Sequence, residues 1–533
     1  MSQQTEGTLH LQPNSAAPHI GAFVLETLTL GMYGEPRHTL REYVQNSFDA
    51  IRAAQRTRFL QGRGVVRVTL AQDLITIRDN GLGVPSAQAW NTLTSIGASK
   101  KDRERDAGFR GIGRLAGMAY CDELIFRTTF PDEKVLTVIK FNCEKLLGAM
   151  GPDKGGDVEL TTLLSDSITH ETDPNGALPE EHFFEVTLRG LSCAPENLTT
   201  GQKVVDYLSE TVPVGFAPGW TWREVIEKDY KSYFGESMET IDVYVDFDGE
   251  SHQVFKPYGD SYDHARGVVN LRDVVPYLGE DNLYWGWVGK LEEPVAVTDW
   301  RTKGLRIRVR NIQVDGTAMM EALFTDFKPS YGRFSRNYVG EIHIDPARVI
   351  PNARRDGFEE TDDWHLIQTS LRENVCGPLA REQYQASKDS QLRLDRVIEE
   401  VDAMASRSRT LAEAPRSTYD QVVDLMNNAR RLRRKTARAL KIAAEHDDTA
   451  IDIEEPGVRR IEEQLQDASR NVESVESQAK MLIGRFLDED DRIEALKLRL
   501  RQEIVKEVLD IVNAYVDPST YQAIKRHLAK SAQ

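Results

Sequence analysis

The chain reads as an α/β protein with an N-terminal α/β sandwich, a second α/β domain and an all-helical, coiled-coil-like C-terminal region. Three observations carry that reading. Helix-period and strand-period stretches interleave, with many glycines, from about residue 20 to 198. Alternating strand candidates with turn signals continue over 199–360. Over 361–533 the glycines nearly vanish and helical periodicity dominates. Residues 1–19 are left as an N-terminal arm.

In chain order, "REYVQNSFDAIRAA" (41–54) is the first helix. Leu40, Val44, Phe48 and Ile51 fall on one side of it. Glu42, Asn46 and Asp49 fall on the other, within roughly 60° of arc at about 100° per residue. A solvated polar face would give the same stripe, so the next sixty or so residues decide between a wet surface and a site. "GVVRVTL" and "DLITIRDN" read as adjacent strands joined by a short turn, and "DELIFRTTF", "KVLTVIKF" and "FFEVTLRGL" continue the sheet. The second domain holds "TIDVYVDFDG", "LYWGWVGKL", "GLRIRVRNIQVDG" and "VGEIHIDPARVIPN". Tyr284, Trp285 and Trp287 read as core or interface rather than as a platform for stacking bases. Helix breaks are expected at Pro415, at 454–457 and at 517–520.

Composition narrows the function classes. At 533 residues the chain exceeds one ordinary core. No apolar run approaches the roughly twenty residues that span a bilayer, and the start lacks a basic-then-apolar layout, so a cytoplasmic location is expected. Four scattered cysteines without a CxxC pair argue for reduced thiols and against structural zinc. The net charge of −17 disfavours general affinity for nucleic acid. One basic strip, "ARRLRRKTARALK" (429–441), reads either as a charged coiled-coil flank or as a phosphate contact.

The chemistry sits between residues 42 and 113. After the strand "LITIR" come Asp79, Asn80, Gly81, Leu82 and Gly83. A carboxylate at a strand end can accept from the exocyclic amine of a base, and glycines let backbone approach a flat ring. A charged, poorly patterned flap, "SKKDRERDAG", leads into "GFRGIG". Its Gly108, Gly111 and Gly113 precede a helix, "GRLAGMA", whose backbone N–H groups can cradle phosphate. The stretch is not a Walker loop, because GxxxxGK[ST] is absent from the chain. It is not a dinucleotide fingerprint either, since the spacing is GxxGxG and a flap precedes it.

Taken in order, helix ExxxNxxDA, strand-DxGxG, flap and GxxGxG resemble the GHKL ATPase superfamily, which includes gyrase B, MutL, MORC proteins and the ninety-kilodalton heat-shock chaperone. The resemblance implies a Bergerat-fold domain over 20–198 that binds ATP with Mg²⁺ and hydrolyses it. It implies Glu42 as general base for the attacking water and Asn46 as the Mg²⁺ ligand. Asp49 is implied at the base or ribose end, and Asp79 on the adenine amine beside Gly81 and Gly83. Ser99 and Lys100 open the flap, and Gly108, Phe109, Arg110, Gly111, Ile112 and Gly113 form the phosphate turn. The family's adenine-side threonine matches Thr187, which points away from Phe184, Val186 and Leu188; an ordinary strand threonine would look the same.

Residues 296–358 resemble the transducer-like middle domain of the chaperone-like members. There a cation reaches the γ-phosphate, and "IPNARRDG" offers Asn352 with Arg355, Arg354 being the immediate alternative. Lys303 is the other candidate, although Arg306, Arg308 and Arg310 beside it alternate like the wet face of a strand. The resemblance further implies an ATP-promoted homodimer acting on a protein partner, in bacterial stress or phage defence. The rival reading is a MORC- or MutL-like clamp on DNA.

Overall fold

The apolar side of the first helix dictates the first layer. Leu40, Val44, Phe48 and Ile51 are all buried, and covering them folds His38–Arg56 (α1) against one face of a sheet. The structure, a computed structural model, describes residues 20–525 except 22–23, 26, 28–34, 98–110, 150–158, 179, 192–193, 353, 414–418, 448–455, 487–488, 514–515, 517–519 and 523. The arm at 1–19, the break at Pro415 and most of the break at 517–520 lie outside the described residues.

β1 (Val65–Ala71) and β2 (Leu74–Asp79) form an antiparallel hairpin with Ala71 opposite Leu74. Val66, Val68, Ile75 and Ile77 are buried in the same core as α1, and the residues between them take the other face. β3 (Glu123–Thr129), β4 (Leu136–Asn142), β5 (Ile168–Asp173) and β6 (Phe183–Arg189) extend the sheet. Two strands from further along the chain, β7 (Asp242–Phe247) and β8 (Glu250–Val254), complete it. The order is β5-β4-β3-β6-β2-β1-β7-β8.

β7 corrects the sequence reading, which assigned "TIDVYVDFDG" to the second domain. It pairs in parallel with β1, adds Val243 and Val245 to the first core, and places Asp242 and Asp246 on Arg63 and Arg67 at 2.9 and 2.8 Å. Parallel pairing joins segments far apart in sequence, so no local pattern announces it.

Between β6 and β7 lies the helix Gly201–Thr211 (α2). The second sheet contains β9 (Ser261–His264), β10 (Gly267–Leu278), β11 (Tyr284–Leu291), β12 (Gly304–Val309), β13 (Ile312–Val314) and β14 (Tyr338–Ile344). Its order is β13-β12-β14-β11-β10-β9. Tyr284, Trp285 and Trp287 are buried here as core. One face, with Leu305, Ile307, Ile342 and Ile344, packs against Trp364, Ile367 and Leu371. The segment after 360 therefore closes the second core, and this compact unit runs through Gln383 rather than ending at 360.

The other face of the second sheet sets a dry ionic cluster beside the buried Trp285 and Trp287. Arg306 and Arg308 are 1% and 0% exposed, which overturns the wet-face alternative for this strand. Register sets Arg306 opposite Glu341 and Arg308 opposite His343. Arg306 pairs with Glu210 of α2, and Arg308 with Glu341. Lys256 Nζ lies 2.5 Å and His343 Nε2 3.1 Å from the same Glu341 carboxylate. Burial alone would raise Glu341, but Arg308 and Lys256 hold its carboxyl well below the usual range. Burial and the neighbouring Arg308 lower Lys256 to about 7, and burial lowers His343 to about 4. Arg308 also donates to the Glu210 carbonyl at 2.7 Å, so the cluster clamps α2 to the sheet.

Residues 384–533 form a second compact unit of helices. Tyr419–Asp447 buries Val422, Leu425, Ala429, Leu432, Thr436 and Ala439, a repeat of three and four. Pro456–Phe486, which starts at the expected break, buries Leu465, Ala468, Val472, Val475, Ala479 and Leu482 with the same spacing. In the basic strip, Arg430 and Arg433 pair with Glu476, and Lys435 pairs with Glu400. No helix of the described residues is long and apolar enough to cross a membrane.

Glu341→Gln leaves Arg308 and Lys256 without their counter-charge. It should cost about 3–5 kcal/mol, measured by equilibrium unfolding followed by tryptophan fluorescence. A loss under about 1 kcal/mol would show that the cluster does not hold this sheet together.

Candidate active site

The stripe on α1 faces the interior of the protein. Glu42 and Asp49 are 8% and 4% exposed and Asn46 is half-buried, so a solvated face does not explain them. Asp79, the last residue of β2, shares the face of Ile75 and Ile77 and is buried. Its Oδ1 accepts the Gly81 N–H at 2.9 Å, and its Oδ2 is buried without a hydrogen-bond partner. Burial raises this carboxyl to about 6, against the opposing pull of the Ser47 hydroxyl and of the backbone at Gly81 and Phe184.

The two glycines of "DNGLGV" serve the turn itself. A Cβ on Gly81 would meet Ala50 of α1 at 2.7 Å. Gly83, at φ +70°, lies so close to the Thr129 carbonyl that a Cβ would come within 1.9 Å of it. Protein backbone therefore accounts for both glycines.

Downstream of the flap, Gly111 has φ +71°, and Ile112 and Gly113 lead into a 3₁₀-helix, Gly113–Tyr120. Ser99, Lys100, Gly108, Phe109 and Arg110 lie outside the described residues. Three residues that the sequence did not single out fix this corner. Tyr43 accepts the Gly117 N–H at 2.9 Å and donates to the Arg114 carbonyl at 3.1 Å. Thr39 donates to the Ala116 carbonyl at 3.2 Å. The Arg114 guanidinium donates to the carbonyls of Thr92, Ser95 and Gly111, tying together the two ends that flank the flap.

Thr187 does not join the site. Antiparallel register sets Asp79 opposite Phe184, Ile77 opposite Val186 and Thr76 opposite Thr187. Opposed residues share a face, so Thr187 lies on the far side of the sheet, 3.4 Å from the Thr76 hydroxyl. The neighbours of Asp79 on its own face are Phe184 of β6 and Val66 of β1. Beside it, the His182 Nδ1–H donates to the Gly81 carbonyl at 2.7 Å.

The loop "IPNARRDG" does reach α1. It closes on itself through Asn352 N–H to the Gly357 carbonyl at 2.9 Å and Asn352 Nδ2 to Asp356 Oδ1 at 2.6 Å, with Arg355 at φ 56°. Arg355 Nε lies 4.0 Å from Glu42 Oε1, a buried oxygen that makes no hydrogen bond. Arg41 lies 3.6 Å from the same oxygen, and its guanidinium donates to the Arg354 carbonyl at 3.1 Å. Lys303 sits in the turn before β12 with its amide on the Asp299 carbonyl, and among the described residues it forms no ion pair with Glu42.

Residues 35–148, which span α1 to the end of β4, match the family model described as histidine kinase-, DNA gyrase B- and HSP90-like ATPase. The chain carries a GHKL ATPase domain. No curated protein matches the chain significantly. The residues present suit the substrate of this superfamily: a buried acceptor without a partner at Asp79 and a buried carboxylate beside cations at Glu42. Among the described residues no group of three acidic, histidine or cysteine side chains could hold a metal.

Asp79 sets a trade between stability and binding. Its pKa is raised on folding, so its contribution is favourable below about 4 and is lost as pH rises through about 6. Asp79→Asn should raise the stability of the nucleotide-free protein at pH 8 by on the order of 2–3 kcal/mol. Thermal melts should show that gain shrinking toward pH 4. A variant less stable at pH 8 would contradict the burial cost of the ionised carboxyl.

Proposed function

We propose that the chain is an Mg²⁺-dependent ATPase in which ATP binding and hydrolysis drive a conformational cycle acting on a protein partner. The observation that carries this reading is Arg355 lying 4.0 Å from the Glu42 carboxylate, together with a buried Asp79 oxygen that makes no hydrogen bond, both acidic residues falling in the stretch that matches the GHKL-type model.

In this reading Asp79 accepts the adenine amine and Asp49 lines the base or ribose end of the pocket. The backbone from Gly108 to Gly113 cradles the phosphates, with Ser99 and Lys100 contributing from the flap. Asn46 holds magnesium, whose chemistry there is neutralisation of phosphate charge. Glu42 orients the attacking water and takes its proton, and Arg41 and Arg355 flank that carboxylate at 3.6 and 4.0 Å. Arg355, 4.0 Å from Glu42, is in this reading the cation that the second-sheet segment brings to the γ-phosphate, in preference to Lys303. Developing charge on the transferred phosphoryl is where such a cation acts most strongly. The reading extends to ATP-promoted pairing of two copies. The ion pairs that already engage Arg430, Arg433 and Lys435 weigh against a DNA clamp built on that strip.

Glu42→Ala should retain ATP affinity within a few-fold while turnover falls by about 10² or more. Arg355→Ala should lower turnover by about 10²–10³ with little effect on affinity, and Lys303→Ala by less than tenfold. Steady-state phosphate release together with calorimetric binding separates these outcomes. Undiminished turnover in Glu42→Ala would refute the assignment.

A further inference from the structure

The base end of the site carries an aromatic ring where a hydroxyl was expected. Phe184 stands directly opposite Asp79 across the β2–β6 pair and on the same face. Around it on that face Ile77, Val186, Leu188, Phe126 and Thr128 are buried, whereas Phe184 is only half-buried. It is therefore an open apolar surface beside a buried carboxylate with one unpartnered oxygen. Its ring is backed by Phe126, nearly parallel at 25° with centroids 5.8 Å apart.

The segment that presents this ring is held from several sides. His182 bonds to the Gly81 carbonyl. The Thr128 hydroxyl donates to the Phe183 carbonyl at 3.0 Å, and the Thr129 hydroxyl to the Glu181 carbonyl at 3.0 Å. Arg78 lies 3.5 Å over the Phe183 ring and pairs with Glu181 and Glu185. A backbone held at so many points loses little freedom when a flat ligand covers the ring it presents.

We propose that Phe184 is the base-stacking and base-selecting residue of this site, a purine resting on its ring while Asp79 accepts the exocyclic amine. This rests on the ATP reading above and adds the origin of base choice. The amine of adenine is matched by that of cytosine, so Asp79 alone rejects guanine and uracil, which present a carbonyl there, but not cytosine. The larger stacking area of the purine over Phe184 supplies the remaining discrimination.

The test is equilibrium binding of ATP, CTP and inorganic tripolyphosphate to the full chain with Mg²⁺. The wild type should bind ATP at least about tenfold more tightly than CTP. Phe184→Ala should weaken ATP about tenfold and narrow the ATP/CTP ratio, leaving tripolyphosphate within about twofold. Phe184→Leu preserves packing on Phe126 and should lose about threefold for ATP, whereas Phe184→Tyr should keep both affinity and ratio. These two variants decide the matter if the alanine variant fails to fold. ATP affinity and ATP/CTP ratio unchanged in Phe184→Leu and Phe184→Ala would overturn the proposal. If those variants are silent while Asp79→Asn loses ATP, only the stacking role falls. If the wild type binds no ATP, the reading beneath it falls as well.

Discussion

One buried oxygen organises the site. Asp79 ends β2 inside the core, with Oδ1 satisfied by the turn it begins and Oδ2 left without a partner. A carboxylate in a low-dielectric interior is costly, and burial raises this one to about 6 despite the neighbouring Ser47 hydroxyl and the backbone at Gly81 and Phe184. A protein tolerates such a group where a ligand completes it. The surrounding geometry follows from the same turn. Gly81 passes under α1, Gly83 packs against the Thr129 carbonyl, and His182 grips the Gly81 carbonyl so that Phe184 is presented beside Asp79.

The second constraint is the ionic face of the second sheet. Glu341 satisfies Arg308, Lys256 and His343 together, and Glu210 of α2 engages Arg306. Buried charges are weak sources of stability but strict about geometry, because a small displacement strands several of them at once. Next to this face, β13 leads to Asp315, whose amide bonds to the Arg355 carbonyl at 2.8 Å. The backbone that carries the cation toward Glu42 is thus anchored to the same sheet.

Legibility in the sequence followed the range of the interaction. The three-residue stripe on α1 and the hairpin ending in Asp79 are local patterns, and both lie where their periodicity put them. The loop of Arg355 was found through resemblance and lies against Glu42. Thr187 was misplaced because a strand tells which residues alternate, not which of its two faces meets Asp79. β7 was misassigned because parallel partners carry no hairpin signal. Arg306 and Arg308 looked wet because alternating charge on a strand reads the same whether water or Glu210 and Glu341 lie opposite.

The sequence by itself determined the α/β class, the helical C-terminal region and the set of residues able to do chemistry, since periodicity, turn residues and side-chain type are properties of short segments. Only the tertiary structure decided which aromatic stands beside Asp79, which arginine approaches Glu42 and which charges are dry. Those depend on register and on pairings between segments well separated in the chain, where a shift of one residue turns every side chain to the opposite face.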